Sequence, residues 1–360
     1  VSIGRNRPNN FNPDFPFIPW HLPFNPGPIF LFKKLKMSKK TAHKNKSKLA
    51  LTVLAAIFLT ILIGKAFYFV AGFYRPALDL QLSKGYIWDD GNINVLLNSQ
   101  KLSLLSYNPL KNRVVVLNVP DQAYMQVLGG RGGWMASSIY NFGQSENPPM
   151  GNRMVVFSLS DFLGLPIDGY IMAENKIVED VRQNPLKVLF LGSTLQTNLN
   201  KSEIYRLLWG VSRARFDKVK EIDLEKYLLD SSLADGTKAL VADPVKLDAL
   251  YPNFFEDFIV AERLEIATVN ATGYPGLASK AARLIKNIGG NVIITTTSEN
   301  KSKTSFVEGK DSKTLKLLNQ IFNSACLNNP KCDKIDLNDL QIQDRADIVV
   351  VLGEDFLSRY

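Results

Sequence analysis

The apolar positions of this chain form one long run followed by many short ones. The long run extends from Leu49 to Tyr74 and carries a single charge, at Lys65. Because a membrane-spanning helix needs about 20 apolar residues, the run predicts a transmembrane helix over residues 49–74, with Lys65 reaching toward the outer headgroups. A cleaved signal peptide is the alternative, although the run is long for one and no small-x-small cleavage site follows it. A buried core helix is a third interpretation.

The short runs between residues 79 and 258 alternate between strand and helix patterns. INVLL (93–97), LSLLSY (102–107) and RVVVLNV (113–119) are typical of strands, and PLK (109–111) is typical of a turn between the last two. The alternation predicts an α/β domain over residues 79–258. Helices are expected over residues 154–163, 202–211 and 245–250.

A second series of short runs fills residues 262–360. Its order is strand, helix, two strands, helix and strand, which predicts a small α+β domain of the ferredoxin-like, split βαββαβ type. Pro275 is expected in the first turn of the first helix, where its missing N–H costs nothing, and Gly289-Gly290 is expected to end that helix. The six segments are LEIATVN, LASKAARLIKNI, NVIITTT, KTSFVEG, SKTLKLLNQIF and ADIVVVLG.

The turn before that helix has two glycines, Gly273 and Gly276, in the stretch VNATGYPGLASK. A dinucleotide-binding turn needs G-x-G-x-x-G, and this turn has only G-x-x-G. The sequence therefore predicts no nucleotide partner. We expect Gly273 to take the turn conformation, and Gly276 with Ala278 to permit close contact between helix and sheet.

The positive charge of the chain is confined to its N-terminal part. Residues 1–48 contain ten of the 43 Lys and Arg residues and one of the 34 acidic residues, so residues 49–360 hold 33 of each sign. A nucleic-acid-binding domain would need surplus positive charge on its folded part, and this balance argues against a nucleic-acid partner. The basic segment before Leu49 instead predicts a cytoplasmic N-terminus and an extracytoplasmic remainder.

Residues 1–48 are predicted to be a disordered basic cytoplasmic tail that contacts anionic lipid headgroups. The stretch NNFNPDFPFIPWHLPFNPGP has no periodicity, and its prolines block helix formation. MSKK at Met37 is typical of an ordinary translation start, so residues 1–36 are either such a tail or an upstream translation artefact.

Histidine chemistry is excluded from the folded part of the chain. The two histidines, His21 and His43, both lie in the basic tail. Ser-His-Asp and Cys-His catalysis and histidine metal sites are therefore ruled out beyond residue 48. The sequence predicts no metal site, and we assign no catalytic residue.

Four motifs of the 79–258 segment occur in the order INVLL, LSLLSYNPLKNRVVVLNVP, SSIYNFG and LGLPIDGYI. In this order they resemble the LytR–CpsA–Psr family of cell-wall ligases. The resemblance implies a membrane-anchored α/β/α sandwich outside the cytoplasm. It also implies transfer of polyprenyl-pyrophosphate-linked glycopolymers to peptidoglycan, with arginines on the pyrophosphate and an aspartate helping to hold magnesium.

The chain departs from this family where the cations should stand. Asn98-Ser99-Gln100 follows the first strand without an acid or an arginine, and Met135 stands at the family's lysine position. Val119-Pro120-Asp121-Gln122 stands where the family has Ile-Pro-Arg-Asp, so an acid replaces the arginine that would hold phosphate. Phosphoryl transfer depends on positioned cations and metal, and these departures predict a protein without that chemistry.

Three arginines are candidate substitutes for the missing phosphate ligands. Arg213 and Arg215 could share one face of a strand and reach one phosphate, although an exposed basic helix end is the other interpretation. Arg131, in GGRGGW, is either a phosphate ligand or an ordinary loop residue. Asp121 is interpreted as a solvated turn acid in preference to a metal ligand.

The 262–360 segment resembles a C-terminal domain that often follows the same family, through VNATGYPGLASKAARLIKNIGGNV and ADIVVVLGEDF. The resemblance implies contact with the envelope or with a partner protein. Cys326 and Cys332 flank LNNPK, and in an oxidising compartment we expect a disulfide between them; two free thiols are the alternative.

The leading hypothesis is a single-pass cell-membrane protein of the envelope that binds cell-wall polymer or partner proteins and needs no cofactor. An active glycopolymer–peptidoglycan phosphotransferase, which would require magnesium, is the first alternative. A transcriptional attenuator is the second, and only the 48-residue tail would be available to it in the cytoplasm.

Overall fold

The computed structural model describes residues 50–65, 91–99, 101–127, 130–146, 150–172, 196–322, 342 and 345–357. The chain divides into two compact units, Val1–Gly64 and Lys65–Tyr360. The first contains most of a helix, α1, at residues 50–65. No helix within the described ranges combines the length and apolar character that crossing a membrane requires. The predicted span over 49–74 continues into residues outside those ranges, as do the tail 1–48 and both cysteines.

The second unit contains the strands and the remaining helices, and strands and helices are interspersed along its sequence. The strands are β1 (Ile93–Asn98), β2 (Leu102–Asn108), β3 (Arg113–Asn118), β4 (Tyr124–Gln126), β5 (Gly133–Met135), β6 (Gly169–Met172), β7 (Gln196–Thr197), β8 (Val219–Asp223), β9 (Leu228–Ser232), β10 (Lys238–Ala242), β11 (Glu265–Asn270), β12 (Asn291–Thr297), β13 (Phe306–Gly309) and β14 (Ile348–Leu352). The helices are α2 (Ala136–Glu146), α3 (Met150–Leu163), α4 (Lys201–Arg213), α5 (Pro244–Asp248), α6 (Asp257–Glu262), α7 (Leu277–Asn287), α8 (Lys313–Ile321) and α9 (Glu354–Leu357). This mixed α/β architecture confirms the predicted fold class at its coarse level.

A six-stranded mixed sheet forms the centre of the 79–258 segment. Its strand order is β7-β6-β1-β2-β3-β8. β1, β2 and β3 pair in antiparallel fashion, whereas β6 is parallel to β1 and β8 is parallel to β3. The three strands predicted from INVLL, LSLLSY and RVVVLNV are thus confirmed, and their neighbours on the sheet are strands that the sequence pattern did not indicate.

Both faces of this sheet are covered, because its side chains alternate between two apolar cores. Leu96, Leu104 and Leu117 point into a core that also contains residues of α2 and α3. Val95, Leu105 and Val116, which alternate with them along the strands, pack with Leu207 and Leu208 of α4 on the opposite face. The period of two in the strands therefore places one helical layer on each side.

The 262–360 segment forms a separate four-stranded sheet with the order β12-β11-β14-β13. β11 is parallel to both β12 and β14, and only β13 is antiparallel to its neighbour. The predicted order of elements is confirmed, but the ferredoxin-like assignment is wrong. In a split βαβ unit another strand separates the two strands that a helix connects, whereas here α7 connects β11 and β12, which are direct neighbours.

The glycine turn before α7 differs from the prediction in two respects. Gly276, not Gly273, has the left-handed conformation, with φ of +82° at the N-cap of α7, and open space surrounds its missing Cβ. Gly276 is therefore required for backbone conformation and not for close contact. Pro275 lies in the turn before the helix, which begins at Leu277. The apolar stripe predicted for α7 is buried, and Gly289, with φ of +99°, follows the helix end as expected.

The two sheets are joined through the C-terminal end of α3. Arg283 of α7 donates from Nη1 to the carbonyl of Asp161 at 3.0 Å and from Nη2 to that of Phe162 at 2.9 Å. Asn287 donates to the carbonyl of Gly164 at 2.9 Å, and the Lys280 ammonium lies 2.8 Å from the Asp161 carboxylate. The last carbonyls of a helix have no partner within it. The second sheet domain therefore provides the C-terminal cap of a helix in the first.

Candidate functional site

The position at which the family motif should stand is an open cleft at one end of the six-stranded sheet. Val119–Gln122 follows the C-terminal end of β3, and the parallel strand β8 ends beside it. The turn between β1 and β2 brings Lys101 to the same end. The cleft has a volume of about 540 Å³ and is lined by Lys101, Asn118, Val119, Pro120, Asp121, Gln122, Glu221, Asp223, Glu225 and Lys226.

We call this feature the carboxylate cleft, because four carboxylates (Asp121, Glu221, Asp223 and Glu225) and only two ammonium groups line it. Two of the acids already serve structural roles. Asp223 caps the following turn by accepting from the Glu225 backbone at 3.1 Å, and Glu221 accepts from Asn118 at 2.7 Å. The net negative charge of the cleft repels phosphate. Phosphate-binding sites normally present arginine or lysine side chains instead.

The carboxylate cleft does not concentrate its acids into a metal site. Within the described residues, no group of three or more His, Cys, Asp or Glu side chains is arranged to hold a metal ion. Lys101 and Lys226 are the cations among the residues that line the cleft, against four carboxylates.

None of the three candidate arginines lines the carboxylate cleft, and Arg131 lies apart from Arg213 and Arg215, which are close together at the end of α4. Arg213 is the last residue of α4 and Arg215 follows the helix end, so the strand that was to align their side chains is wrong. Ala214, between them, is the C-cap residue of α4 and has an extended backbone conformation. Arg131 belongs to the α2 side of the sheet, where its Nε lies 2.7 Å from the Glu146 carboxylate.

Arg213 and Arg215 nevertheless have distinct environments. The Arg213 guanidinium lies 4.1 Å from the ring centroid of Trp209, one helical turn earlier. Trp209 stacks in turn on Tyr205, with centroids 5.8 Å apart. Arg215 Nε lies 3.1 Å from the Asp217 carboxylate, in a pair whose side chains are both exposed. An exposed ion pair of this kind is worth less than about 1 kcal/mol, so Asp217 does not strongly restrain Arg215.

A buried acid that the sequence pattern did not indicate lies where the chain enters the sheet. Both oxygens of Glu256 accept from the Asn92 backbone N–H, at 3.0 and 2.9 Å. The Asn92 side chain donates to the carbonyl of Phe254 at 3.0 Å, and it accepts from Asn108 at 2.9 Å. Within NFFEDF, Glu256 is indistinguishable from its surface neighbour Asp257, which is why sequence reasoning missed it.

Burial raises the pKa of Glu256 to about 8, because the charged form is desolvated. The hydrogen bonds from Asn92 oppose this shift, nearby Asp257 adds to it, and Arg113 reduces it. Glu256 therefore holds the start of β1 against the segment that leads into the second sheet domain. We interpret its role as structural, since its carboxyl group is buried and hydrogen-bonded to the backbone of Asn92.

A second open cleft, of about 610 Å³, lies between α5 and α7. Tyr251, Phe255, Arg283 and Lys286 are among its lining residues. Its arginine is committed to the cap of α3, where Nη2 also donates to the Tyr251 hydroxyl at 3.3 Å. This cleft is therefore a feature of the junction between the two sheet domains.

No protein-family model and no curated protein matches this chain. Among solved structures, Bacillus subtilis TagT is 13% identical, with 49% of this chain and 97% of TagT covered and a TM-score of 0.37. The structure of YwtF (TagT) with bound octaprenyl pyrophosphate lipid, a LytR-CPS2A-psr family protein, is 13% identical over 50% of this chain and 98% of its own, with a TM-score of 0.37. A Streptococcus agalactiae protein is 12% identical over 48% and 90%, with a TM-score of 0.38. At TM-scores this low, the likeness does not define a shared function.

Proposed function

We propose that this chain is a membrane-anchored, extracytoplasmic protein of the cell envelope that acts by binding cell-wall polymer or partner proteins. In this proposal it performs no glycopolymer transfer, although its motifs resemble those of the LytR–CpsA–Psr ligases. The observation that carries the proposal is the charge of the carboxylate cleft. Asp121 stands where the family has its phosphate-holding arginine, and three further carboxylates line the same space.

Two further observations support the absence of transfer chemistry. The candidate arginines do not converge, because Arg131 lies on the α2 side of the sheet and Arg213 ends α4 on the other. The space between the sheet and the helices α2 and α3 is filled by side chains such as Leu96, Met154 and Leu159, which are fully buried. A polyprenyl chain would need an apolar cavity to enter, and in the described part of the domain these side chains occupy that space.

Membrane anchoring is the second part of the proposal, and the sequence supports it. The apolar run at 49–74 follows ten basic residues, which is the charge order of a single-pass anchor with its N-terminus in the cytoplasm. The two sheet domains would then lie outside the cytoplasm. There they would serve as one contact module, since α7 of the second caps α3 of the first.

The transfer chemistry is tested by titrating the full chain, in detergent, with inorganic pyrophosphate and magnesium. We expect no saturable binding by the unmodified chain, and we expect Asp121→Arg to introduce weak binding because it restores the family's cation. The double variant Arg213→Ala, Arg215→Ala is the matched control and should behave like the unmodified chain. Saturable binding by the unmodified chain that this double variant abolishes would instead favour the ligase.

The binding role is tested by retention of the full chain on purified peptidoglycan carrying its wall polymer. We expect retention above that of an unrelated anchored protein in the same detergent. Retention should be unchanged in Asp121→Arg, because binding by surface contact does not depend on the carboxylate cleft. No retention above the control, or measurable turnover of a lipid-linked sugar, would contradict the proposal.

A further inference from the structure

The end of the six-stranded sheet opposite the carboxylate cleft has a different character. The turn between β2 and β3 lies there, and so does the short 3-10 turn Phe216–Lys218, because Val114 at the start of β3 pairs with Val219 at the start of β8. The Asn112 side chain joins this turn to α4 by donating to the Arg213 carbonyl at 3.3 Å. We call this end the basic rim and define it as Leu110, Arg213, Arg215, Phe216 and Lys218.

Two large apolar side chains project from the basic rim. Phe216 is 82% exposed and Leu110 is 63% exposed. Single exposed apolar residues are common on protein surfaces. What distinguishes this pair is that both occupy turns at one end of one sheet, where neither contributes to either core.

The cations of the basic rim are available to an external anion. The Arg213 guanidinium lies over the Trp209 ring, and this contact uses the face of the guanidinium and not its N–H groups. Within the described part of the chain, no carboxylate pairs with it. Arg215 is 80% exposed at its side chain, where its ion pair is with the exposed Asp217, and Lys218 is also exposed.

The basic rim also includes the point at which the chain enters the sheet. β1 begins at Ile93, which pairs with Tyr107 near the end of β2, so the chain enters the sheet at the basic rim. Only 18 residues, 75–92, separate this entry from the end of the predicted membrane segment at Tyr74. If residues 49–74 form an anchor, the basic rim is therefore the part of the sheet domain that follows the anchor most directly along the chain.

We propose that the basic rim docks on an anionic lipid headgroup layer, with Phe216 and Leu110 inserted at the interface and the arginines on lipid phosphates. Aromatic and aliphatic side chains ringed by basic residues suit this layer, because the apolar groups enter the acyl boundary while the cations remain among the headgroups. The proposal rests on the membrane anchoring of the proposed function only for its geometry. The residues of the rim provide the chemistry themselves.

The test places a tryptophan at the rim and asks whether lipid quenches it. The full chain is reconstituted into vesicles with brominated acyl chains, made either of phosphatidylcholine alone or with added phosphatidylglycerol. Phe216→Trp is compared with Leu229→Trp, a matched control because Leu229 is an exposed apolar residue on β9. Its partner strand β10 is hydrogen-bonded to Gln122 at the opposite end of the sheet. The emission of the unmodified chain is subtracted, since its four tryptophans contribute background.

In anionic vesicles, we expect the fluorescence of the tryptophan introduced by Phe216→Trp to be quenched and its emission maximum to shift to shorter wavelength. The tryptophan of Leu229→Trp should show neither change. Adding Arg213→Gln and Arg215→Gln to Phe216→Trp should weaken docking about fivefold for each arginine removed, as about 1 kcal/mol per basic residue at an anionic surface implies. These variants lie on the exposed surface, so loss of folding does not confuse the result, and the far-UV circular dichroism should be unchanged.

Flotation of the vesicles separates the failure of this inference from the failure of the anchor. If the chain floats with both vesicle types but Phe216→Trp is not quenched, docking is refuted and the anchor stands. If it floats only with anionic vesicles and Phe216→Trp is quenched, docking is supported without the anchor. If it floats with neither, both are refuted. Retention on a polyanionic wall polymer that depends on Arg213 and Arg215, without quenching in vesicles, would also refute docking and assign the rim to polymer.

Discussion

At the scale of single residues, Glu256 shows how one buried acid can join distant parts of the chain. Its carboxyl group accepts from Asn92, at the start of β1, and its own N–H donates to the carbonyl of Ile288, after α7. A buried acid costs free energy when it is charged and little when it is neutral. The junction it forms is therefore stable in one protonation state and weakened in the other.

The pH dependence of stability should reflect this residue. An unfolded Glu ionises near its ordinary value of 4.5, while burial keeps folded Glu256 protonated until about pH 8. Between these values the folded state holds more protons, so its contribution to stability is complete below pH 4.5 and is lost as the pH rises toward 8. The slope is at most about 1.4 kcal/mol per pH unit.

Glu256→Gln removes this titration while keeping an acceptor for Asn92. We expect the variant to gain stability relative to the unmodified chain as the pH is raised from 5 to 8, measured by chemical denaturation. Asp257→Asn, at the neighbouring exposed acid, is the control and should show no such trend. Identical pH profiles for Glu256→Gln and the unmodified chain would contradict this assignment.

A second residue-scale prediction concerns Gly210, which allows α4 to lie close against β2. A Cβ at this position would stand 2.3 Å from Cζ of Tyr107, whose ring is buried. Gly210→Ala should therefore lower the free energy of unfolding by about 1–3 kcal/mol, as overpacking does, despite the better helix propensity of alanine. Ser212→Ala on the same helix is the control, and Tyr107→Val should relieve the loss. A stabilised Gly210→Ala variant would show that α4 shifts freely.

At the scale of elements, the end of α3 depends on a helix from another domain. Three polar side chains of α7 reach carbonyls or the carboxylate at this end, and Arg283 provides two of the hydrogen bonds. A positive charge at a helix C-terminus is also favoured by the helix dipole. The contact is therefore specific in both geometry and charge.

Arg283→Ala should lower the free energy of unfolding by about 2–3 kcal/mol, because it leaves partly buried carbonyls without donors. Lys286→Ala is the matched control, since Lys286 is exposed on the same helix, and its effect should stay within about 0.5 kcal/mol. Denaturant titration of both variants measures the difference. Equal effects would mean that α3 ends without help from α7.

The elements also show how far the sequence could predict this fold. Strands with strong apolar periodicity, such as β1–β3, and helices such as α3 and α7 were found within a few residues. The strand neighbours of the second sheet were not, because element order does not determine which strands pair. The burial of side chains in the structure distinguishes central from edge strands. Every residue of β14, a central strand, is buried, whereas exposed and half-buried residues alternate along β12, an edge strand.

The candidate site was predictable only in part. The replacement of a phosphate-holding arginine by Asp121 could be seen in the sequence, and it marks the carboxylate cleft. The acids that complete the cleft, Glu221, Asp223 and Glu225, come from β8 and its following turn. No motif connects them to Asp121, since only the parallel pairing of β3 with β8 brings these segments together.

At the scale of the whole molecule, the two sheet domains belong to one compact unit, Lys65–Tyr360. The cap of α3 by α7 and the Glu256 junction both cross between them. Domains coupled in this way unfold together when their interface contributes a large share of the stability. We therefore expect the two sheet domains to unfold as one cooperative unit.

Calorimetry of the full chain in detergent should accordingly show a single unfolding transition for this unit. In Arg283→Ala that transition should broaden or separate into two, because one of the couplings is lost. Lys286→Ala should retain the single transition of the unmodified chain. Two resolved transitions in the unmodified chain would show that the domains are thermodynamically independent.

The position of β14 has a consequence for synthesis on the ribosome. β14 is among the last segments described, yet it lies inside its sheet and is hydrogen-bonded to β11 on one side and β13 on the other. Until Leu352 has left the exit tunnel, β11 and β13 each present an unpaired edge, which is the kind of surface that invites aggregation. In a nascent chain of this protein, a chaperone that shields exposed strand edges would therefore matter most in the interval between the emergence of β13 and the emergence of β14.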